Sequence, residues 1–241
     1  MKNGILLISI MLSSVCISQA QALRVTYEKK FATPKHNLDQ IEDPLLRQKV
    51  EEQVKELLSK MDLSEQLLIN NGVSIYKPEA NNRRGNSSVI REGDHTFYRN
   101  QKDSLLISQA SIEGKDYLIE EPLKALQWKI GRKEQVVSGY RCIEATTITA
   151  KGEPVTAWYT PDVPVNEGPM DFWGLPGLIL YVDVNNGRYT LSCTSIEQID
   201  SSTAISPPDR GEKISREQFD KLSGKGEQRQ SVTIRTETIM R

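Results

Sequence analysis

The chain has 241 residues, is 37% hydrophobic and carries a formal net charge of −1. A balance this near neutrality lacks the basic footprint that general nucleic-acid binding needs. The length is enough for one sizeable core, without metals or disulfides as obligatory staples.

The amino terminus has the layout of an export signal. Lys2 precedes an apolar stretch, residues 5–17, broken only by Ser9, Ser13 and Ser14, and Ala20-Gln21-Ala22 is a small-x-small cleavage site. The stretch is shorter than the roughly 20 apolar residues of a membrane-spanning helix. Removal of residues 1–22 is therefore expected, with no transmembrane span left and Leu23 as the first mature residue. Cys16 leaves with the signal, because Ser13-Ser14-Val15 lacks the small residue that precedes a lipidated cysteine. The destination is the periplasm, the outer membrane or the exterior. Residues 23–241 read as a single β-rich domain.

Residues 23–31 alternate, with Val25, Tyr27 and Phe31 on one face, and read as a half-buried strand. Asp43 as N-cap and Pro44 at the first position open a long helix. Leu46, Val50, Val54, Leu57, Leu58 and Met61 form its apolar stripe, expected to pack on a sheet. Residues 66–76 return to strand, interrupted by Asn70-Asn71-Gly72, which suits either a tight turn or a bulge. Residues 78–94 are polar and read as a mobile excursion, with Asn86-Ser87-Ser88 as a weak glycosylation match.

Short strands follow at 95–99, 104–111, 117–121 and 126–130, then a long one over 136–149 with Gly139 inside it, and a return over 155–159. Asn186-Gly187 signals a hairpin that pairs Val184 with Tyr189, Val182 with Leu191 and Leu180 with Cys193, placing Cys193 in the core. Ser215 and Gln218 form a capping box, with Ile214 stapled to Phe219 and Gly224 as the stop of a short helix. Residues 230–240 alternate weakly. The fold class is α+β: a mainly antiparallel, curved β-sheet, open half-barrels included, with one long N-terminal helix and a short C-terminal helix.

The least ordinary stretch is 160–180, with four prolines and three glycines among Met170, Phe172 and Trp173. It reads as an ordered loop of fixed path feeding the strand that starts near Leu178. Trp158, Tyr159, Phe172 and Trp173 either pin this loop to the sheet or line a groove for an apolar or peptide ligand.

Catalytic templates are missing: there is no Gly-x-Ser-x-Gly, no His-Glu-x-x-His, no P-loop and no Cys-x-x-Cys. His36 and His95 lack a motif context, and nothing has metal-ligand spacing, so no cofactor and no metal are expected. Cys142 and Cys193 suit either a disulfide or two free thiols. Glu120 and Glu121 read as a solvated strand end.

Gly174-Leu175-Pro176-Gly177-Leu178-Ile179 spells GLPGLI. With Gly168-Pro169, Gly139-Tyr140-Arg141-Cys142, Trp128-Lys129-Ile130 and Ala157-Trp158-Tyr159-Thr160, the chain resembles the GLPGLI family of exported Gram-negative proteins. The resemblance implies export and a β-rich domain, and supplies no catalytic residue. The order of elements also resembles the open half-barrels of periplasmic lipoprotein carriers, an analogy of fold that does not license function. The expected role is an exported binding or envelope-assembly module, with an apolar ligand, a peptide or an envelope protein as partner. The alternative is an atypical hydrolase using Cys142 or a carboxylate.

Overall fold

Turn chemistry sets the layout. Asn71 and Gly72, at φ 51° and 77°, take the left-handed conformation that closes a two-residue hairpin. They join β2 (Ser64–Asn70) to β3 (Val73–Pro78), so the open choice at Asn70-Asn71-Gly72 resolves as a turn. Ser138 and Gly139, at φ 50° and 84°, do the same between β7 (Lys129–Val137) and β8 (Tyr140–Ile148). The expected single strand over 136–149 is corrected accordingly: Gly139 is a turn residue, and the chain reverses there.

The computed structural model describes residues 22–32, 41–59, 64–79 and 95–223. The expected signal up to Gln21, His36, Met61, most of the polar excursion with Asn86, and the tail beyond Ser223 lie outside them. The other strands are β1 (Leu23–Phe31), β4 (Thr96–Asn100), β5 (Leu105–Ile112), β6 (Lys115–Pro122), β9 (Pro154–Thr160), β10 (Leu178–Val184), β11 (Tyr189–Gln198) and β12 (Glu212–Ile214). All twelve form one sheet in the order β12-β6-β5-β4-β3-β2-β1-β11-β10-β9-β8-β7. Two antiparallel meanders, β1 to β6 and β7 to β11, meet at a seam where β1 pairs with β11. β12 joins the far edge parallel to β6.

Strands make up about half of the described residues, which overturns the α+β class: the fold is mainly β, with two short helices among those residues. The long N-terminal helix does not form as expected. Helix α1 (Pro44–Ser59) is capped by Asp43, whose Oδ1 accepts the Leu45 N–H at 2.8 Å, but Leu45 and Leu46 are 78% and 51% exposed. Its Val50 and Val54 are only half-buried, and other segments cover the sheet face near β8–β11. Phe172 and Leu175 from the loop after β9, with Leu126 and Trp128 from the β6–β7 connection, pack on Ala145, Ala157, Val182 and Leu191.

The register aligns one buried face across the first meander. Val25 pairs with Leu67, Leu67 with Tyr76, and Tyr76 with Phe97. The next row on that face runs Leu23, Ile69, Ser74, Arg99. The Tyr27 hydroxyl donates to the Ile179 carbonyl at 2.6 Å and so bolts β1 to β10 across the intervening β11. Ser138 Oγ donates to the Cys193 carbonyl at 2.5 Å, although β8 and β11 are three places apart in the sheet. That contact requires the β7–β8 end to curl over, since a flat sheet would separate those strands by roughly 14 Å.

The β10–β11 hairpin pairs Val184 with Tyr189 and Val182 with Leu191, as expected. The ladder ends at Tyr181 and Ser192, so the Leu180–Cys193 pair is not part of it. An irregularity between Ile179 and Tyr181 sends Leu178 and Leu180 into a different cluster from Val182 and Val184. Cys193 is nevertheless buried at 2%.

Helix α2 (Arg216–Leu222) forms behind the expected capping box: Ser215 Oγ accepts the Gln218 N–H, and Gln218 Oε1 accepts the Ser215 N–H. It seats Phe219 edge-on against Tyr117, with Ile214 alongside. Ser215→Ala removes one partner of an otherwise orphan helix N–H and should lower stability by about 1 kcal/mol in urea denaturation.

Candidate functional site

The chain between β9 and β10, residues 161–177, folds onto the buried face of the sheet and is held there by one arginine. Arg99 on β4 has no solvent exposure. Its Nη2 donates to the Gly168 carbonyl at 2.7 Å, its Nη1 to the Met170 carbonyl, and its Nε to Glu167 Oε2 at 2.9 Å. Glu167 is 2% exposed and also accepts from Ser74 Oγ and Gln101 Nε2, each at 2.8 Å. The guanidinium fork thus neutralises one buried acid and fixes two loop carbonyls.

Local backbone bonds complete the lock. Gly174 N–H donates to Asn166 O and Ile179 N–H to Glu167 O, both at 3.0 Å. Two glycines allow the close approach. A Cβ on Gly168 would lie 2.5 Å from the Phe172 carbonyl oxygen, and one on Gly177 would lie 2.1 Å from that of Thr160. Leu175, Leu178 and Ile179 are buried, and Pro176 is exposed. The GLPGLI residues therefore act through backbone path and anchoring.

The clamp presents a specific turn. Phe172 N–H donates to Pro169 O at 3.0 Å, and Met170 inside the turn has φ 51°. A left-handed methionine is strained and persists where its surroundings hold it. Here Arg99 fixes its carbonyl and Phe172 is buried at 1%. The residues on either side of Phe172 are less covered: Asp171 is exposed and Trp173 half-buried. Asp171 keeps accessible surface, yet surrounding protein strips its carboxyl of bulk water and pushes its pKa up; Arg99, Arg216 and Lys151 pull the other way. Burial pushes the Tyr189 phenol upward, and the Asp171 charge adds to the effect.

A second polar group lies on the same sheet face. Lys29 Nζ is 3.8 Å from Glu65 Oε1 and 5.4 Å from both the Phe31 and Tyr189 ring centroids. Glu65 also accepts the Tyr76 hydroxyl.

The four aromatic residues separate into two pairs. Tyr159 and Phe172 are 3% and 1% exposed and serve as anchors. Trp158 and Trp173 remain half-buried, and Trp128 Nε1 donates to the Trp173 carbonyl at 2.8 Å. Cys142 and Cys193 are free and buried in one cluster. Burial pushes the Cys142 thiol up to about 11, the reverse of nucleophile activation. His95 packs beside Phe97 with ring centroids 5.9 Å apart. Among the described residues no group of three or more His, Cys, Asp or Glu is placed to hold a metal, and no helix is long and apolar enough to cross a membrane.

Sequence reading missed Arg99, Glu167 and Asp171. A lone arginine in a short strand and two acids in a Pro/Gly loop have no local signature. The available signal was the location of both acids in the one stretch too constrained to be a linker.

The site belongs to a sheet-and-loop unit of a kind known elsewhere. A family profile described as "Protein of unknown function (Porph_ging)" matches residues 148–181, from the end of β8 through the clamped loop into β10. An uncharacterised family thus fits this stretch. No curated protein matches the chain. Solved structures titled "Structure of PNGF-II in P21 space group" and "Structure of PNGF-II in C2 space group" are similar, at 16% and 15% identity with TM-scores of 0.56 and 0.55. They cover 84% and 86% of this chain, which spans 33% of the length of each. Likeness at that identity shows the fold alone.

Proposed function

We propose that this chain is an exported, GLPGLI-type binding module whose contact surface is the clamped turn, with Asp171 and Trp173 facing the ligand. The observation that carries this reading is the Arg99 clamp. It fixes the carbonyls of Gly168 and Met170, and the next side chain, Asp171, is exposed, its carboxyl hydrogen-bonded to its own backbone N–H. A strained turn held by a buried ion pair costs stability for the shape it gives, and such strain clusters where shape is used. An acid and an indole two residues apart suit a ligand with an apolar face beside a hydrogen-bonding group, as an extended peptide has. Trp158 is the further candidate contact; Tyr159 and Phe172 are supports.

The test uses protein purified from its own host. Native mass spectrometry should show a bound species that Asp171→Asn and Trp173→Ala each weaken by about tenfold or more, a loss of roughly 1.4 kcal/mol. Retention of every bound species by both variants would sink the reading. A pH series gives an independent readout. The folded carboxyl holds its proton to higher pH than the unfolded one, so its burial costs nothing below the ordinary carboxylate range. The cost appears as pH rises through that range towards the folded pKa. Asp171→Asn should therefore match the wild type in stability at acid pH and exceed it at neutral pH, the usual trade at a functional group.

A further inference from the structure

We propose that Cys142 and Cys193 form a disulfide when the chain folds in the presence of a disulfide oxidant, stapling the β7–β8 hairpin to β11. Both sulfurs belong to one packed cluster with Val163, Leu178 and Leu180. β9 and β10 separate β8 from β11 in the sheet, yet Ser138 in the β7–β8 turn donates to the Cys193 carbonyl itself. The turn immediately before Tyr140–Cys142 is therefore docked on the other cysteine's backbone. Cys142 Sγ donates weakly to Tyr140 O and Cys193 Sγ to Ser195 O, both at 3.6 Å. The Val137 backbone and the Ser138 side chain also hydrogen-bond the Cys142 and Cys193 thiols respectively, so a bridge would replace contacts to the β7–β8 turn. After burial, the charge of Cys142 is the next influence on the Cys193 thiol, which is pushed up to about 12.

The chemistry is thiol–disulfide exchange with a small-molecule or protein disulfide. One cysteine thiolate attacks the donor's S–S bond and expels a thiolate; the second cysteine attacks the resulting mixed disulfide and expels the other. Two electrons pass from the protein dithiol to the donor, which leaves as two thiols carrying the two protons. Cys142 and Cys193 are 0% and 2% exposed, so exchange precedes the docking of the hairpin. Once closed, the fold shields the sulfurs from oxidant and reductant alike. Only the natural source of the oxidant rests on the export reading of the preceding section.

The full chain, reduced and denatured, is refolded with mixed oxidised and reduced glutathione, quenched in acid and digested. The expected product is a peptide linking Cys142 to Cys193, two mass units lighter than the sum of its reduced halves. Recovery of both as free thiols or glutathione adducts from natively folded protein would overturn the proposal. Stability supplies a second readout. Cys142→Ser, Cys193→Ser and the double variant should share one loss of about 10 °C in Tm, because one bond is lost in all three. Additive losses would mean independent packing roles and would also overturn it. The same digestion applied to protein isolated from its own host separates the two ideas: a bridge after refolding, with free thiols in the host-isolated protein, counts against the export reading and leaves the pairing intact.

Discussion

Arg99→Met should destabilise the protein by about 3–5 kcal/mol, read as a fall in urea midpoint at unchanged slope. The substitution keeps the apolar stem and removes the charge. Glu167 then remains at 2% exposure with Ser74 and Gln101 as donors and no cation, and a buried carboxylate without its counter-charge is costly. Two further losses follow, because the Gly168 and Met170 carbonyls lose their donor. An unmatched buried carbonyl costs about 1–3 kcal/mol.

A companion variant separates these contributions. Arg99→Met with Glu167→Met removes both charges and should recover part of the loss, leaving the carbonyl cost of the loop. Amide exchange then locates the damage. The Phe172 and Gly174 N–H groups, whose acceptors Pro169 O and Asn166 O sit on the clamped loop, should exchange faster in the single variant than in the wild type. Strands β2 and β3 should keep their protection. A loss below about 1 kcal/mol, the ordinary value of a surface ion pair, would mean that Arg99 does not hold the loop.

The local parts of this molecule were legible, and the parts that depend on distant pairing were not. Asn186-Gly187 announces a hairpin because few residues accept φ > 0, Asn70-Asn71-Gly72 leaves a turn and a bulge equally open, and Ser215 with Gln218 announces a helix start because the capping groups lie three residues apart. Ser138-Gly139 carried the same kind of signal and was read through, because strand-forming residues flank it on both sides. The apolar stripe of α1 was legible as a helix, but its sequence could not say that Leu46 would stay exposed. Phe172, Leu175, Leu126 and Trp128 cover the sheet instead, from two connections that have no periodicity to betray them. The clamp was hidden for the same reason. Arg99 and Glu167 are 68 residues apart, and β4 and β10 lie five places apart in the sheet; the loop over residues 161–177, folded across the sheet face, brings them together.

Gly177→Ala should do more damage than any other single methyl group added in this loop, through geometry alone. Gly177 has φ 155°, in the half of backbone space that L-residues avoid, and its added Cβ would meet the Thr160 carbonyl oxygen at 2.1 Å and the Thr160 carbonyl carbon at 2.7 Å. Both are backbone atoms at the end of β9, in register with Leu178 at the start of β10, so neither can turn aside as a side-chain tip would. Relief requires β9 and β10 to part where the loop leaves and re-enters the sheet. The expected cost is about 4 kcal/mol or more, the range of exceptional point mutations, and Gly177→Val should be worse. Gly187→Ala is the control. Its φ is 87° with nothing within 4 Å of the added Cβ, so it carries conformational strain without collision and should cost about 1–2 kcal/mol. Urea midpoints of the two variants should therefore differ by at least 2 kcal/mol in stability. Equal losses would show that the second glycine of the motif serves only backbone freedom and that the close crossing of Gly177 over Thr160 does not hold the loop in place.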